Sequence, residues 1–176
     1  MVIGGYGDGG ELSRVEILDT SLGQWYYGAP LPQPCAQVLP ATIGSMCYLL
    51  GGFTKVATPS NKVFSICMDD LIFQATSQPP DSANARPTPS PWQTLPDTPL
   101  AYSTVLALNG ALLAVGGNVL GRKAIYHYQP SSRSWVKAGE LPTERMACIS
   151  TVLPSGEMLV TGGPYSTEQV DIALVQ

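Results

Sequence analysis

Residues that could do chemistry are few in this 176-residue chain, and they are scattered. His127 is the only histidine, and it stands between Tyr126 and Tyr128 in a run that reads as a strand. It therefore faces the side opposite to both tyrosines. One imidazole does not make the clustered His and Cys set that zinc needs. A Ser–His–Asp triad drawn through it lacks the G-x-S-x-G turn that would expose a nucleophile. Cys35, Cys47, Cys67 and Cys148 lie far apart with no C-x-x-C pair. Cys47, Cys67 and Cys148 sit in apolar runs, where cysteine behaves as a small buried hydrophobe. They read as reduced thiols, which points to the cytoplasm. Asp69 and Asp70 offer two adjacent carboxylates, where a hard cation takes more oxygen ligands, and they read as solvated acids. Residues 5–10, GYGDGG, match the G-x-G-x-x-G of dinucleotide sites. That motif requires a helix after it, and the following SRVEILDT alternates apolar and polar as a strand does. The glycines there read as a loop that uses their freedom of backbone angle. No catalytic residue, no metal ligand and no cofactor site is expected.

Bulk properties exclude further classes. The formal charge is −4 and the nine Lys and Arg are scattered singly, which is no footprint for nucleic acid. No apolar run reaches the ~18 residues of a spanning helix, so no membrane partner is expected. The N-terminus lacks the basic-then-apolar order of a signal peptide. At 44% hydrophobic residues the chain can build a core.

The elements that must position any site come from a repeat. Gly pairs fall at Gly4-Gly5, Gly51-Gly52, Gly116-Gly117 and Gly162-Gly163. Trp25, Trp92 and Trp135 precede three of them by 26, 24 and 27 residues. Such regularity marks a repeated structural unit. Within each unit two apolar runs flank a turn: Val38–Ile43 and Met46–Leu50, Ser103–Leu108 and Ala111–Val115, Ile149–Leu153 and Glu157–Thr161. Asn109-Gly110 is the strongest of these hairpin signals, because both turn positions need φ > 0. Runs such as ALLAV are apolar without alternation, as strands are when both faces are buried. A third strand follows each Gly pair, at Val15–Leu18, Val63–Cys67, Ala124–Tyr128 and Val170–Leu174, and the Trp lies on a fourth. Residues 74–91, QATSQPPDSANARPTPSP, read as a disordered insertion, and Asp69–Gln74 as a helical turn before it. The units run about 1–32, 33–96, 97–142 and 143–176 within one domain. The first lacks its first strand and the last its fourth.

Four strands per unit with both inner faces buried imply sheets stacked face to face around an axis, an all-β propeller. The Gly pairs, Tyr128 seven residues before Trp135, and the segment LPTERMACISTVLPSGEMLVTGG resemble kelch repeats. Leu18 and Cys67 depart from the Tyr of that pattern, and the fourth unit has no Trp. The strand count gives incomplete first and last blades, and the resemblance to kelch rings then implies a partial propeller, either a fragment of a longer one or a half-ring completed by another copy. It also implies a non-catalytic module that binds partner proteins through its loops, as a scaffold or substrate receptor. A kelch-type enzyme such as a sugar oxidase, or a propeller fragment without independent function, are the rival readings. The recurrence of tryptophan from unit to unit reads as packing, with Trp25, Trp92 and Trp135 in blade cores or between blades. Loops after the Gly pairs and the connections 33–37, 97–102 and 143–146 are expected on one face. Tyr and Arg are favoured interface anchors, so the candidate protein-binding residues are Tyr6, Arg14, Tyr102, Arg122, Arg145 and Tyr165. The open ends are expected to expose apolar sheet faces and to allow self-association.

Overall fold

In the computed structural model, which describes residues 1–54, 58–77, 90–118, 121–163 and 171–173, the apolar runs pair into four antiparallel sheets. The first sheet joins β1 (Val2–Ile3), β4 (Val15–Asp19) and β5 (Gln24–Tyr27), while β2 (Tyr6–Gly7) and β3 (Gly10–Glu11) form a small hairpin beside it. The second has the order β6 (Leu39–Ile43), β7 (Met46–Leu50), β10 (Val63–Cys67) and β11 (Gln93–Leu95). Between its strands lie the hairpin β8 (Phe53–Thr54) with β9 (Thr58–Pro59), and the helix α1 (Met68–Ser77). The third runs β12 (Thr104–Leu108), β13 (Ala111–Val115), β14 (Ala124–Gln129) and β15 (Ser134–Glu140). The fourth holds β16 (Ile149–Val152), β17 (Met158–Thr161) and β18 (Asp171–Ala173). Three, four, four and three strands per sheet match the repeat read from the sequence.

The core lies between the sheets. Val15 of the first sheet meets Cys47, Leu49, Phe64 and Ile66 of the second. Leu50 and Val63 of the second meet Leu112, Ala114 and Tyr128 of the third. Leu113, Val115 and Ile125 of the third meet Met158 and Val160 of the fourth. Side chains alternate along a strand, so Leu112 and Ala114 serve one interface while Leu113 and Val115 serve the other. That is why ALLAV shows no alternation in hydrophobicity. Among the described residues β4 is covered on one face, where Val15 is buried, while Leu18 on the opposite face is exposed.

Two differences from expectation concern local structure. GYGDGG forms a hairpin in which Gly7 faces Gly10, and no helix follows it. Helix α1 runs through Ser77, past the expected turn at Asp69–Gln74 and into the segment read as insertion; residues 78–89 of that segment lie outside the described residues. Leu71 is the buried anchor of the helix and packs in the core between the first two sheets.

The tryptophans tie neighbouring sheets together. Trp92 Nε1 donates to the carbonyl of Ala29 at 2.9 Å, and Trp135 Nε1 donates to that of Pro96 at 2.9 Å. Ala29 and Pro96 each stand four residues after the tryptophan of their own sheet, Trp25 and Trp92. Each rung therefore joins equivalent positions of successive sheets. Trp25 corrects the expectation that all three are packed: it is 50% exposed, because no sheet covers that side of β5 among the described residues.

Candidate functional site

The connections that lead into β6, β12 and β16 each contain one residue held in the left-handed region: Gln37 at φ 54°, Tyr102 at φ 58° and Ala147 at φ 51°. These are equivalent positions of three units, 14, 14 and 15 residues before Gly51, Gly116 and Gly162. A residue with a Cβ is uncommon there and costs roughly 1–2 kcal/mol. The surrounding hydrogen bonds hold the kinks. Ala36 and Phe53 exchange backbone bonds of 3.0 and 2.8 Å, and Ala147 N–H donates to the Tyr102 carbonyl at 2.9 Å.

The Gly pairs clamp these connections. A Cβ on Gly116 would come 2.7 Å from the carbonyl oxygen of Arg145, and one on Gly117 would come 2.9 Å from that of Ala101. The first glycine thus presses on the connection of the following sheet and the second on the connection of its own. Gly117 N–H also donates to the Arg145 carbonyl at 2.9 Å. At φ +64° and +147° both positions also favour glycine by backbone angle. The repeated pair is therefore the fastening between blades as well as the end of a strand.

A cleft of about 180 Å³ opens where the three connections converge. Gln37, Phe53, Tyr102 and Ser103 line it with Ala147 and Ile149. Phe53 and Tyr102 make an edge-to-face pair with centroids 5.5 Å apart. Ile149 is 68% exposed at its rim.

Of the expected binding residues, Tyr102 alone lies in this wall. Tyr6 is exposed on the β2–β3 hairpin. Arg14 is exposed, 3.8 Å from Glu16, with its guanidinium over the Tyr27 ring. Arg122 is partly buried and pairs with Glu144 at 3.3 Å. Arg145, expected at the surface, is 0% exposed. Its guanidinium donates to the Gly162 carbonyl at 2.7 Å, and its backbone N–H to the Arg122 carbonyl at 2.8 Å. It fastens the third sheet to the fourth from within. Tyr165 lies outside the described residues, as does the whole of the 164–168 loop.

Gln37 and Phe53 fall inside segments expected on the binding face but are not among the residues singled out, and Ser103 and Ala147 lie one residue beyond the expected connections, although their place in the repeat is countable. Their residue types differ from unit to unit, so only the register relative to the Gly pairs could have found them. Among the described residues no group of three His, Cys, Asp or Glu is placed to hold a metal ion. No disulfide joins the described cysteines. Burial pushes the Cys35 thiol up to about 11 and raises that of Cys47. Among the described residues no helix is long and apolar enough to cross a membrane.

Comparison with known proteins agrees with this architecture. A family model of the Kelch motif matches residues 1–32. The solved structure of YjhT is similar with a TM-score of 0.64 at 17% sequence identity, over 93% of this chain and 48% of that one. The chain thus spans about half the length of that structure, and at this identity the likeness concerns the fold. No curated protein matches. The chain thus carries a Kelch motif at residues 1–32, and its stacked antiparallel sheets have the fold of a β-propeller.

Proposed function

We propose that this chain is a non-catalytic protein-interaction module, which receives a segment of a partner protein at the end where its connections converge. The supporting observation is the cleft itself: three strained, equivalent connections meet around an aromatic pair. Left-handed residues that the surroundings hold in place are a recognised mark of functional positions, and loops on a rigid scaffold are favoured binding elements. We propose a cytoplasmic setting, in keeping with cysteines that pack as buried thiols in apolar runs.

The test is selection of peptides from a displayed library on the immobilised chain. Tyr102→Ala and Phe53→Ala are expected to lower retention of the selected peptides about ten-fold, as loss of an aromatic anchor does, with Tm unchanged. Turnover of sugars or a tightly bound metal in the purified protein, together with no peptide enrichment, would sink the reading and favour an enzyme.

A second reading is compatible with the first. The outward side of the first sheet exposes Leu18 and Trp25. Exposed apolar surface of this kind favours association, and we propose that the chain self-associates through this face.

A further inference from the structure

The outward face of the first sheet differs from the equivalent faces inside the molecule. Side chains alternate along a strand, so Arg14, Glu16 and Leu18 share that face. Val2 stands across from Glu16 on β1, and Tyr27 and Trp25 stand across from Glu16 and Leu18 on β5. The second and third sheets turn the same face toward the sheet before them, where Phe64 and Tyr128 enter the cores. Phe64 and Tyr126 hold the place of Glu16 there, each one residue after the buried Val63 or Ile125 as Glu16 is after Val15. An aromatic position of the inner seams therefore carries a carboxylate in the first sheet. Arg14 lies beside it at 3.8 Å, with its guanidinium over the Tyr27 ring. An apolar sheet laid on this face would strip water from Arg14 and Glu16 and return no bond for it. A surface that offers the same two charges in exchange returns both, and a second copy of the chain carries that surface.

We propose that two copies pack their first sheets face to face about a twofold axis, with Leu18 and Trp25 at the centre and Arg14 of each copy reaching Glu16 of the other. Twofold contacts set one patch against itself, so a patch with one charge of each sign is self-complementary. An apolar centre within a polar rim is the usual anatomy of protein interfaces, and Trp, Tyr and Arg are the residue types that most often carry their energy. This inference rests on the reading that the chain self-associates through this face, and adds the charges by which each copy recognises the other.

The test is solution mass by light scattering after size exclusion. The chain is expected at twice its own mass. Arg14→Glu leaves the patch with two acids and Glu16→Arg leaves it with two bases. Each variant alone is expected to associate at least ten-fold more weakly and to run as the monomer. Tm is expected to stay level in both, because the two side chains are solvent-accessible and their pair within one copy is weak. Mixed one to one, the two variants are expected to recover the double mass. A monomeric parent chain, a variant that dimerises fully by itself, or a mixture that stays monomeric overturns the inference. A dimer lost in Trp25→Ala but kept in both charge variants leaves self-association through this face standing and removes the reciprocal charges. A monomeric parent chain removes both.

Discussion

Trp92 and Trp25 occupy the same place in successive units and live in different surroundings. Trp92 is 6% exposed, packs in the core between the first and second sheets, and bonds to Ala29. Trp25 is half exposed, and its ring lies against no neighbouring sheet among the described residues. The strand geometry is shared; Trp25 faces Leu18 across its sheet as Trp135 faces Tyr128 across the third. A repeat position therefore sets which way a side chain points, and the neighbouring sheet decides what it is worth.

The largest way to break this contrast is Trp92→Ala, expected to cost about 3–5 kcal/mol as buried Trp truncations do. Urea unfolding measures it, and a loss no greater than that of Trp25→Ala would refute the interface reading. Arg145→Ala comes next at about 2–4 kcal/mol, from the lost packing of a fully buried side chain and the lost bond to the Gly162 carbonyl. A melting temperature unchanged by that substitution would return Arg145 to the surface. Smaller again is a pH effect at the interface of the first two sheets. The folded chain holds the Cys35 proton more tightly than the unfolded chain, because burial raises its thiol from 9.0 to about 11. This contribution is full below pH about 9 and is lost as pH rises toward about 11, to the extent of roughly 2 kcal/mol. Cys47 acts in the same direction. Unfolding midpoints at both ends of that window, in the chain and in Cys35→Ala, test it; an equal fall in both would deny the role of this thiol. Trp25→Ala should change stability least, within about 0.5 kcal/mol as exposed substitutions do. Its visible effect should be on solution mass, which light scattering is expected to show shifting toward the monomer.

Strand positions were legible because two cues reinforce each other. Asn109-Gly110 takes φ of 50° and 77°, as the hairpin signal demands, and the unalternating ALLAV is buried on both sides. The fate of individual side chains was less legible. Arg145 carries the same letter whether it points to solvent or threads between blades, and only the Gly162 carbonyl, distant in space until the sheets stack, decides. The cleft was half visible. The connections were assigned to one face, and Tyr102 was named, but Ser103 reads as one more residue at the start of an apolar run. The binding residues proposed on Tyr and Arg preference fared by exposure alone, and exposure is what Arg145 lacks.

Because every hydrophobic cluster among the described residues lies between two sheets, no sheet there carries a core of its own. Each blade is solvent-shielded only by its neighbours, so the array resembles a row of coupled elements more than a set of separate domains. Stability in such a row is a sum over adjacent contacts. Amide exchange should then be slowest in β7, β10, β13 and β14, which have a neighbour on both sides, and fastest in the two outer sheets. Opening should begin at the flanks and travel inward, one seam at a time.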